Sequence, residues 1–384
     1  MAEEVWMLQT KKADFKQIGA RFRIDPVTAR IIRNRGIEGE AAIDRYLNGT
    51  LDDLYDPMLL KDMERAVSIL CEAVDTGKKI RIVGDYDIDG VCSTYILLQA
   101  FERLGSDVDF EIPDRIKDGY GINESIIEQA HADGVEVILT CDNGISAFHQ
   151  VELAKKYGMT VVITDHHEVP LDGEKEKIPP ADAVIDPKQA DCPYPFPEIC
   201  GAVVAYKLVQ VLYARRGVPQ MEWLDLLEFA AIATVGDVMK LQDENRILVK
   251  YGLKKMAQTK NLGLRRLAEK NNLDLGAITA YHIGFVIGPC LNAGGRLKTA
   301  KEALALLRAQ SEEEAERLAE ELKELNDTRK DMTEQGTEAA KLQVESWYQK
   351  DKVLVVFLPE CHESLAGIIA GRLREYYQKP AIVL

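Results

Sequence analysis

Between Lys79 and Asp186 the apolar residues fall into short unbroken runs, separated by stretches whose apolar positions recur at helical spacing. Ile80-Arg81-Ile82-Val83 reads as a strand, Val91 to Leu104 as a helix stopped by Gly105, and Val108 to Ile112 as a second strand. Val135 to Thr140 reads as a buried strand and Ser146 to Tyr157 as a helix ended by Gly158. Met159 to Thr164 and Ala183 to Asp186 supply two more strands. Strand alternating with helix builds βαβ units, so the expected fold class is α/β with an open, mostly parallel sheet. The first 75 residues differ. Asp25-Pro26 opens a helix with Val27, Ile31 and Ile32 as its apolar positions, and Glu64 to Ala73 continues in the same style.

Length and composition narrow this picture. A chain of 384 residues is enough for two or three domains. With 46% hydrophobic and 29% charged residues, wholesale disorder and collagen-like repeats are excluded. There is no run of 18 apolar residues to span a membrane, and Met1 to Trp6 lack the basic start and apolar core of a leader. Seven scattered cysteines with no CxxC pair fit reduced thiols in a cytoplasm rather than a disulfide framework.

The net charge of −15 disfavours nucleic acid on its face, but it conceals a segregation. Residues 246–300 hold ten Lys/Arg against two Asp/Glu, and residues 301–345 hold seven against thirteen. The acidic block lacks proline and sets Leu318, Leu322 and Leu325 on one side, as a long helix would. After it come a strand (Lys352 to Leu358), a helix (Gly367 to Tyr377) and the start of another strand (Pro380 to Leu384). One βαβ unit cannot bury a core alone, so the sequence is expected to stop inside a second domain or to lean this end on the first. The expected division is an N-terminal helical segment at 1–75, a main domain at 76–300 with its basic part at 246–300, a linker helix at 301–348, and an incomplete second domain at 349–384.

Three constellations carry chemistry. Gly84-Asp85-Tyr86-Asp87-Ile88-Asp89-Gly90 places three carboxylates at alternate positions after a strand, which in extended backbone point to one side about 6.6 Å apart. Carboxylates brought to within about 4 Å repel by roughly 4 kcal/mol per pair at an effective dielectric of 20, and a hard divalent cation removes that repulsion. A helix-capping acidic turn is the alternative. Thr140-Cys141-Asp142-Asn143-Gly144 and Thr164-Asp165-His166-His167 close two further strands. Ligands of open parallel sheets bind beyond the carboxyl ends of the strands, so three strands delivering Asp or His there point to a dinuclear metal site. Asp237 follows an apolar helix, Leu226 to Ala233. Gly288 to Arg296 offers glycine amides and an arginine suited to phosphate, or else a plain turn. His362-Glu363-Ser364 precedes a helix carrying Arg372. No P-loop, HExxH, GxSxG or complete GxGxxG occurs.

In this order the motifs resemble the DHH phosphoesterases. Asp85 to Gly90 is similar to the DxDxDG motif, and Asp165-His166-His167 to the triplet that gives the family its name. Val235-Gly236-Asp237, Gly288 to Leu297 and the acidic helix resemble the RecJ branch of single-strand-specific 5′→3′ DNA exonucleases. The resemblance implies two Mn²⁺ or Mg²⁺ ions. Asp87 and Asp89 would each hold one, Asp142 would bridge them, His166 and Asp237 would complete the second, and Asp85 would support the first. It implies His167, Asn292, Gly295, Arg296, His362 and Arg372 as phosphate-binding residues and a 5′-mononucleotide as product. Single-stranded DNA would be the substrate, single-strand-binding protein or a helicase the partners, and the enzyme a cytoplasmic monomer in DNA repair and recombination. Two departures stand out: Cys290 where the family has Arg, and Glu360-Cys361-His362 in place of Gly-Trp-His. The rest of the associated domain and an oligonucleotide-binding fold would follow residue 384. Two other family activities compete: hydrolysis of short oligonucleotides or cyclic dinucleotides, and a non-catalytic replication scaffold, against which the intact carboxylates argue.

Overall fold

The computed structural model describes residues 5–9 and 11–384. The stretch read for a leader, Met1 to Trp6, lies largely outside the described residues. Four helices come first: α1 (Phe15–Phe22), α2 (Pro26–Asn34), α3 (Glu40–Asn48) and α4 (Met63–Thr76). Asp25 caps α2 by accepting from the amides of Val27 and Thr28, with Pro26 in the first turn, as the sequence predicts.

The α/β unit follows as β1 (Ile80–Val83), α5 (Ile88–Arg103), β2 (Val108–Glu111), α6 (Glu124–Ala132), β3 (Val137–Cys141), α7 (Phe148–Lys156) and β4 (Thr160–Thr164). A short hairpin of β5 (Leu171–Asp172) and β6 (Lys175–Glu176) leads to β7 (Ala183–Ile185). The five-stranded sheet runs β2-β1-β3-β4-β7 with every pair parallel, so the expected open parallel sheet is present. Strand order reverses between β1 and β3, and the crevice beyond their carboxyl ends is the natural ligand position.

Helices cover both sides of the sheet. On one, α6 and α7 close a core with Ile138, Val161 and Ile163. On the other, α5 packs against α8 (Gly201–Arg216) and α10 (Leu227–Gly236), which follows the short α9 (Gln220–Leu224). Ile96, Leu97 and Phe101 of α5 and Val203 and Leu208 of α8 are fully buried, so these helices are apolar all round. Burial of each such side chain is worth about 1.5–3 kcal/mol.

The chain continues through α11 (Asp243–Met256), α12 (Leu262–Lys270), a turn of α13 (Ala280–His282) and a π turn, Ile283–Ile287, into α14 (Gly288–Leu297). Then come α15 (Lys301–Arg308) and the 32-residue α16 (Glu312–Gln343). Last, β8 (Leu354–Val356), α17 (Glu363–Tyr377) and β9 (Ala381–Val383) form a parallel βαβ unit. It rests on the C-terminal end of α16, sharing a core of Ala340, Val344, Leu354, Val356, Ile369 and Leu373. This small unit thus borrows apolar surface from the long helix.

Four expectations are corrected. Extended backbone does not carry all three aspartates of the first motif to one side, because α5 begins at Ile88 and Asp89 lies in its first turn. The glycine-rich segment 288–297 is a helix whose amides belong to helical turns. Gly295 is there for contact: a Cβ would lie 2.4 Å from the Tyr86 carbonyl oxygen. The linker is two helices, α15 being a separate element that packs on α5 and α14. Finally, much of the basic block 246–300 is not a free cationic surface. Arg265 and Arg266 pair with Glu312 at 2.9 and 2.8 Å, and Lys270 with Glu316 and Glu320 at 2.6 and 2.5 Å, so α12 and α16 neutralise one another.

Candidate metal centre

Each acidic motif is fixed by its local backbone. Asp87 is the N-cap of α5 and accepts from the amides of Asp89 and Gly90 through Oδ1. Asp89, fully buried, points instead at the N-terminus of α8, where the amides of Gly201 and Ala202 donate to its two oxygens at 2.7 and 2.8 Å. The positive end of a helix thereby holds a carboxylate in place. Asp142 follows β3 in left-handed backbone, φ 61°. Only glycine fits opposite it, because a Cβ at Gly201 would lie 2.7 Å from the Asp142 Cβ. Asn143 ties the two strand ends together, donating to the carbonyls of Val83 and Cys141 at 3.1 and 2.9 Å. Asp237 enters from the end of α10.

These elements converge on one crevice. Ligand atoms of Asp85, Asp87 and Asp142 lie within 4.8 Å of one another, as do those of Asp89, His166 and Asp237, and those of Asp142, His166 and His167. His166 Nε2 sits 3.0 Å from Asp142 Oδ1, 3.4 Å from Asp89 Oδ2 and 3.9 Å from Asp237 Oδ2. Seven side chains therefore form three overlapping groups, Asp142 and His166 each shared by two of them.

The electrostatics are those of a site lacking counter-charge. Burial, then the charge of Asp87, pushes Asp85 up to about 7. Burial and the neighbouring Asp89 and Asp87 push Asp237 up to about 7 and Asp142 well above its ordinary value. Burial lowers the pKa of His166, so its imidazole is neutral at pH 7 with a ring lone pair to give. Asp85 Oδ1 and His166 Nδ1 are buried with no hydrogen-bond partner among the described residues. An oxygen-rich set with one or two imidazoles suits Mg²⁺ or Mn²⁺. The nearby thiols do not compete. Burial pushes Cys141 up to about 12, and Cys92 and Cys200 are raised as well, so all three stay protonated. The residues present fit a pair of divalent cations.

His167 has a different setting. Its Nδ1 lies 2.7 Å from Oδ1 of buried Asp165, whose other oxygen accepts from the Ile145 amide. Burial lowers the pKa of this imidazole, but the Asp165 hydrogen bond and charge outweigh that and hold it at about 8. The Tyr120 hydroxyl lies 3.0 Å from the Asp142 carbonyl oxygen and within 3.2 Å of the His167 ring nitrogens. Arg115 stacks over the Tyr86 ring at 4.0 Å, and Arg296 lies close enough to Asp87 to feel its charge. Arg296 also donates to the Ser364 carbonyl at 2.9 Å, while Ser364 Oγ returns a bond to the Arg296 carbonyl and contacts His362 Nδ1. The second lobe thus reaches the margin of the acidic crevice.

Asp85, Asp87, Asp89, Asp142, His166, His167 and Asp237 are brought together, with Arg296 and His362 at the edge. Asn292 and Gly295 lie on α14, the asparagine Oδ1 buried without a partner among the described residues. Arg372 is not drawn in. It is exposed on α17, in a groove with Glu334, Glu338 and Glu375. Sequence reading missed Tyr120, Arg115, Asp165 and Gly201. Asp165 stood inside a motif already noticed, but nothing in the local sequence marks the other three.

The family model described as "DHH family, N-terminal domain" matches residues 79–234. The chain is 36% identical over 380 residues to the single-stranded-DNA-specific exonuclease RecJ of Bacillus subtilis, covering 99% of this chain and 47% of that protein. It is therefore about half the length of that relative. Among solved structures, exonuclease RecJ bound to manganese is 33% identical, with a TM-score of 0.75 over 85% of this chain and 80% of the other. RecJ of Thermus thermophilus in complex with Mn²⁺ is 30% identical, with a TM-score of 0.80 over 96% of this chain and 52% of the other.

Proposed function

Because this chain belongs to the RecJ exonuclease family of DHH phosphoesterases, we propose that it hydrolyses phosphodiester bonds of single-stranded DNA from the 5′ end, releasing 5′-mononucleotides in DNA repair and recombination. The observation that carries the proposal is the convergence of seven acidic and imidazole side chains at the reversal of strand order, in a crevice short of positive charge.

Asp85, Asp87 and Asp142 would hold one cation and Asp89, His166 and Asp237 the other, with Asp142, 3.0 Å from His166, serving both. Divalent cations held there would supply positive charge to the phosphate oxygens and make a water more acidic. The protein's own residues do the rest. Asp89 is oriented by the α8 amides, which donate to both of its oxygens. His167, charged near neutrality through Asp165, offers an N–H to a phosphate oxygen as negative charge develops. Arg296 and Arg115 add guanidinium charge at the same margin, where α14 is held against the Tyr86 carbonyl by Gly295. Asn292 and His362 extend this margin toward the second lobe.

The domain reading follows: residues 1–75 as a helical brace, 76–300 as the catalytic domain, α16 as the linker, and 349–384 as the opening of an associated domain. The setting is a cytoplasmic monomer acting beside single-strand-binding protein or a helicase. Among the described residues no helix is long and apolar enough to cross a membrane.

A second reading, hydrolysis of short oligonucleotides, is favoured by one observation: the α12 cations are already paired with α16 and leave little track for a long strand. The test is release of mononucleotides from 5′- and 3′-labelled single-stranded DNA with and without Mn²⁺, beside an oligomer of a few nucleotides. Metal-dependent loss of the 5′ label first is expected. Activity confined to the oligomer would support the second reading, and no metal-dependent hydrolysis of either would overturn both.

A further inference from the structure

A cavity of about 470 Å³ opens where the C-terminal half of α5 meets α9, α10 and the start of α12. Six of its lining residues are Tyr95, Gln99, Tyr213, Glu228, Phe229 and Asn261. Asp89 and Gln99 are ten residues apart on α5, about 15 Å along the helix axis, so the cavity lies apart from the metal centre.

Its charges are unevenly matched. At the rim, Arg103 pairs with Glu222 at 2.5 and 3.0 Å, and Lys255 and Lys260 both pair with Asp225. Each rim cation therefore has a carboxylate. Glu228 at the floor has no ion pair among the described residues, the Lys255 charge reaching it only from a distance. It is 4% exposed, Oε1 accepts from the Thr259 hydroxyl at 2.7 Å, and Oε2 has no hydrogen-bond partner among the described residues. Burial pushes Glu228 up to about 7. A buried carboxyl oxygen left without a donor is costly, and a charged donor would satisfy it best. The rings of Tyr95 and Phe229, packed against each other at 4.3 Å, form an aromatic part of the wall. The Tyr95 hydroxyl accepts from Asn261 at 3.1 Å and has a lone pair left for a second donor.

We propose that this cavity binds a small aliphatic amine of the polyamine class, one ammonium seated between Glu228 Oε2, the Tyr95 hydroxyl and the aromatic wall. The ligand is a cation rather than a nucleotide because the rim cations that would hold a phosphate are already paired.

Isothermal titration of the full chain with 1,4-diaminobutane, in chelator and about 0.15 M salt to screen diffuse attraction, is the test. A single site per chain is expected, weakened about tenfold or more in Glu228→Gln and severalfold in Tyr95→Phe. Tyr95→Phe keeps the ring and carries the test if Glu228→Gln fails to fold. No heat of binding, equal binding in both variants, or saturable binding of a deoxynucleoside monophosphate instead would overturn the assignment. The readout needs neither metal nor DNA, so it stands apart from the nuclease reading.

Discussion

Asp142 concentrates the logic of the centre in one residue: it is fully buried, sits in left-handed backbone, is surrounded by like charge and lies 3.0 Å from His166. In the metal-free chain this arrangement has a definite pH signature. Asp85 and Asp237 are raised to about 7 and Asp142 is raised too, so between about pH 4 and 7 the folded state holds more protons than the unfolded one. Stability then falls as pH rises through that window. His167, raised to about 8, adds stability that is full below its unfolded pKa and lost as pH rises through 8, in the same direction. Thermal melts in chelator are expected to lose on the order of 2–4 kcal/mol between pH 4.5 and 8, with the slope reduced in Asp142→Asn and flattened by Mn²⁺. A metal-free stability that climbs over this range would contradict the assignment. At this scale the side chains that converge were legible in the sequence, because Asp85, Asp142 and His166 each follow an apolar run that reads as a strand. The supports were not. Tyr120 and Gly201 act through contacts with Asp142, 22 and 59 positions away in sequence, which no local pattern reveals.

Among elements, the parallel sheet and its strand order position the site, and hydrophobic spacing announced the strands to within a residue or two. Where expectation failed, tertiary contact had overridden local chemistry. Segment 288–297 carries three glycines and a proline, turn residues by any local rule, yet forms a helix because Gly294 and Gly295 let it approach neighbouring backbone. The basic and acidic blocks were read one at a time, whereas α12 and α16 lie side by side and answer each other's charge. Arg266→Gln with Lys270→Gln should therefore lower stability only slightly by denaturant unfolding, as exposed pairs do, and change affinity for single-stranded DNA less than about twofold. A tenfold loss of affinity at constant salt would mean that these cations contact phosphate after all.

Across the whole molecule, one α/β body carries the carboxylates, and α16 brings a small βαβ unit to its edge, where Arg296 and Ser364 exchange hydrogen bonds. The segregation of charge along the sequence foretold α16. That a lone βαβ unit must borrow a core was also legible, but not that the C-terminal end of α16, through Ala340 and Val344, would supply it. What unites these features is a crevice in which seven acidic and imidazole side chains converge, a set that suits two divalent cations. The most direct test counts them: equilibrium dialysis of the purified chain against Mn²⁺, followed by metal analysis. Two ions per chain are expected, with Asp142→Asn holding one or none while remaining folded. A single ion in the unaltered chain, or two retained in Asp142→Asn, would contradict a dinuclear centre joined at Asp142.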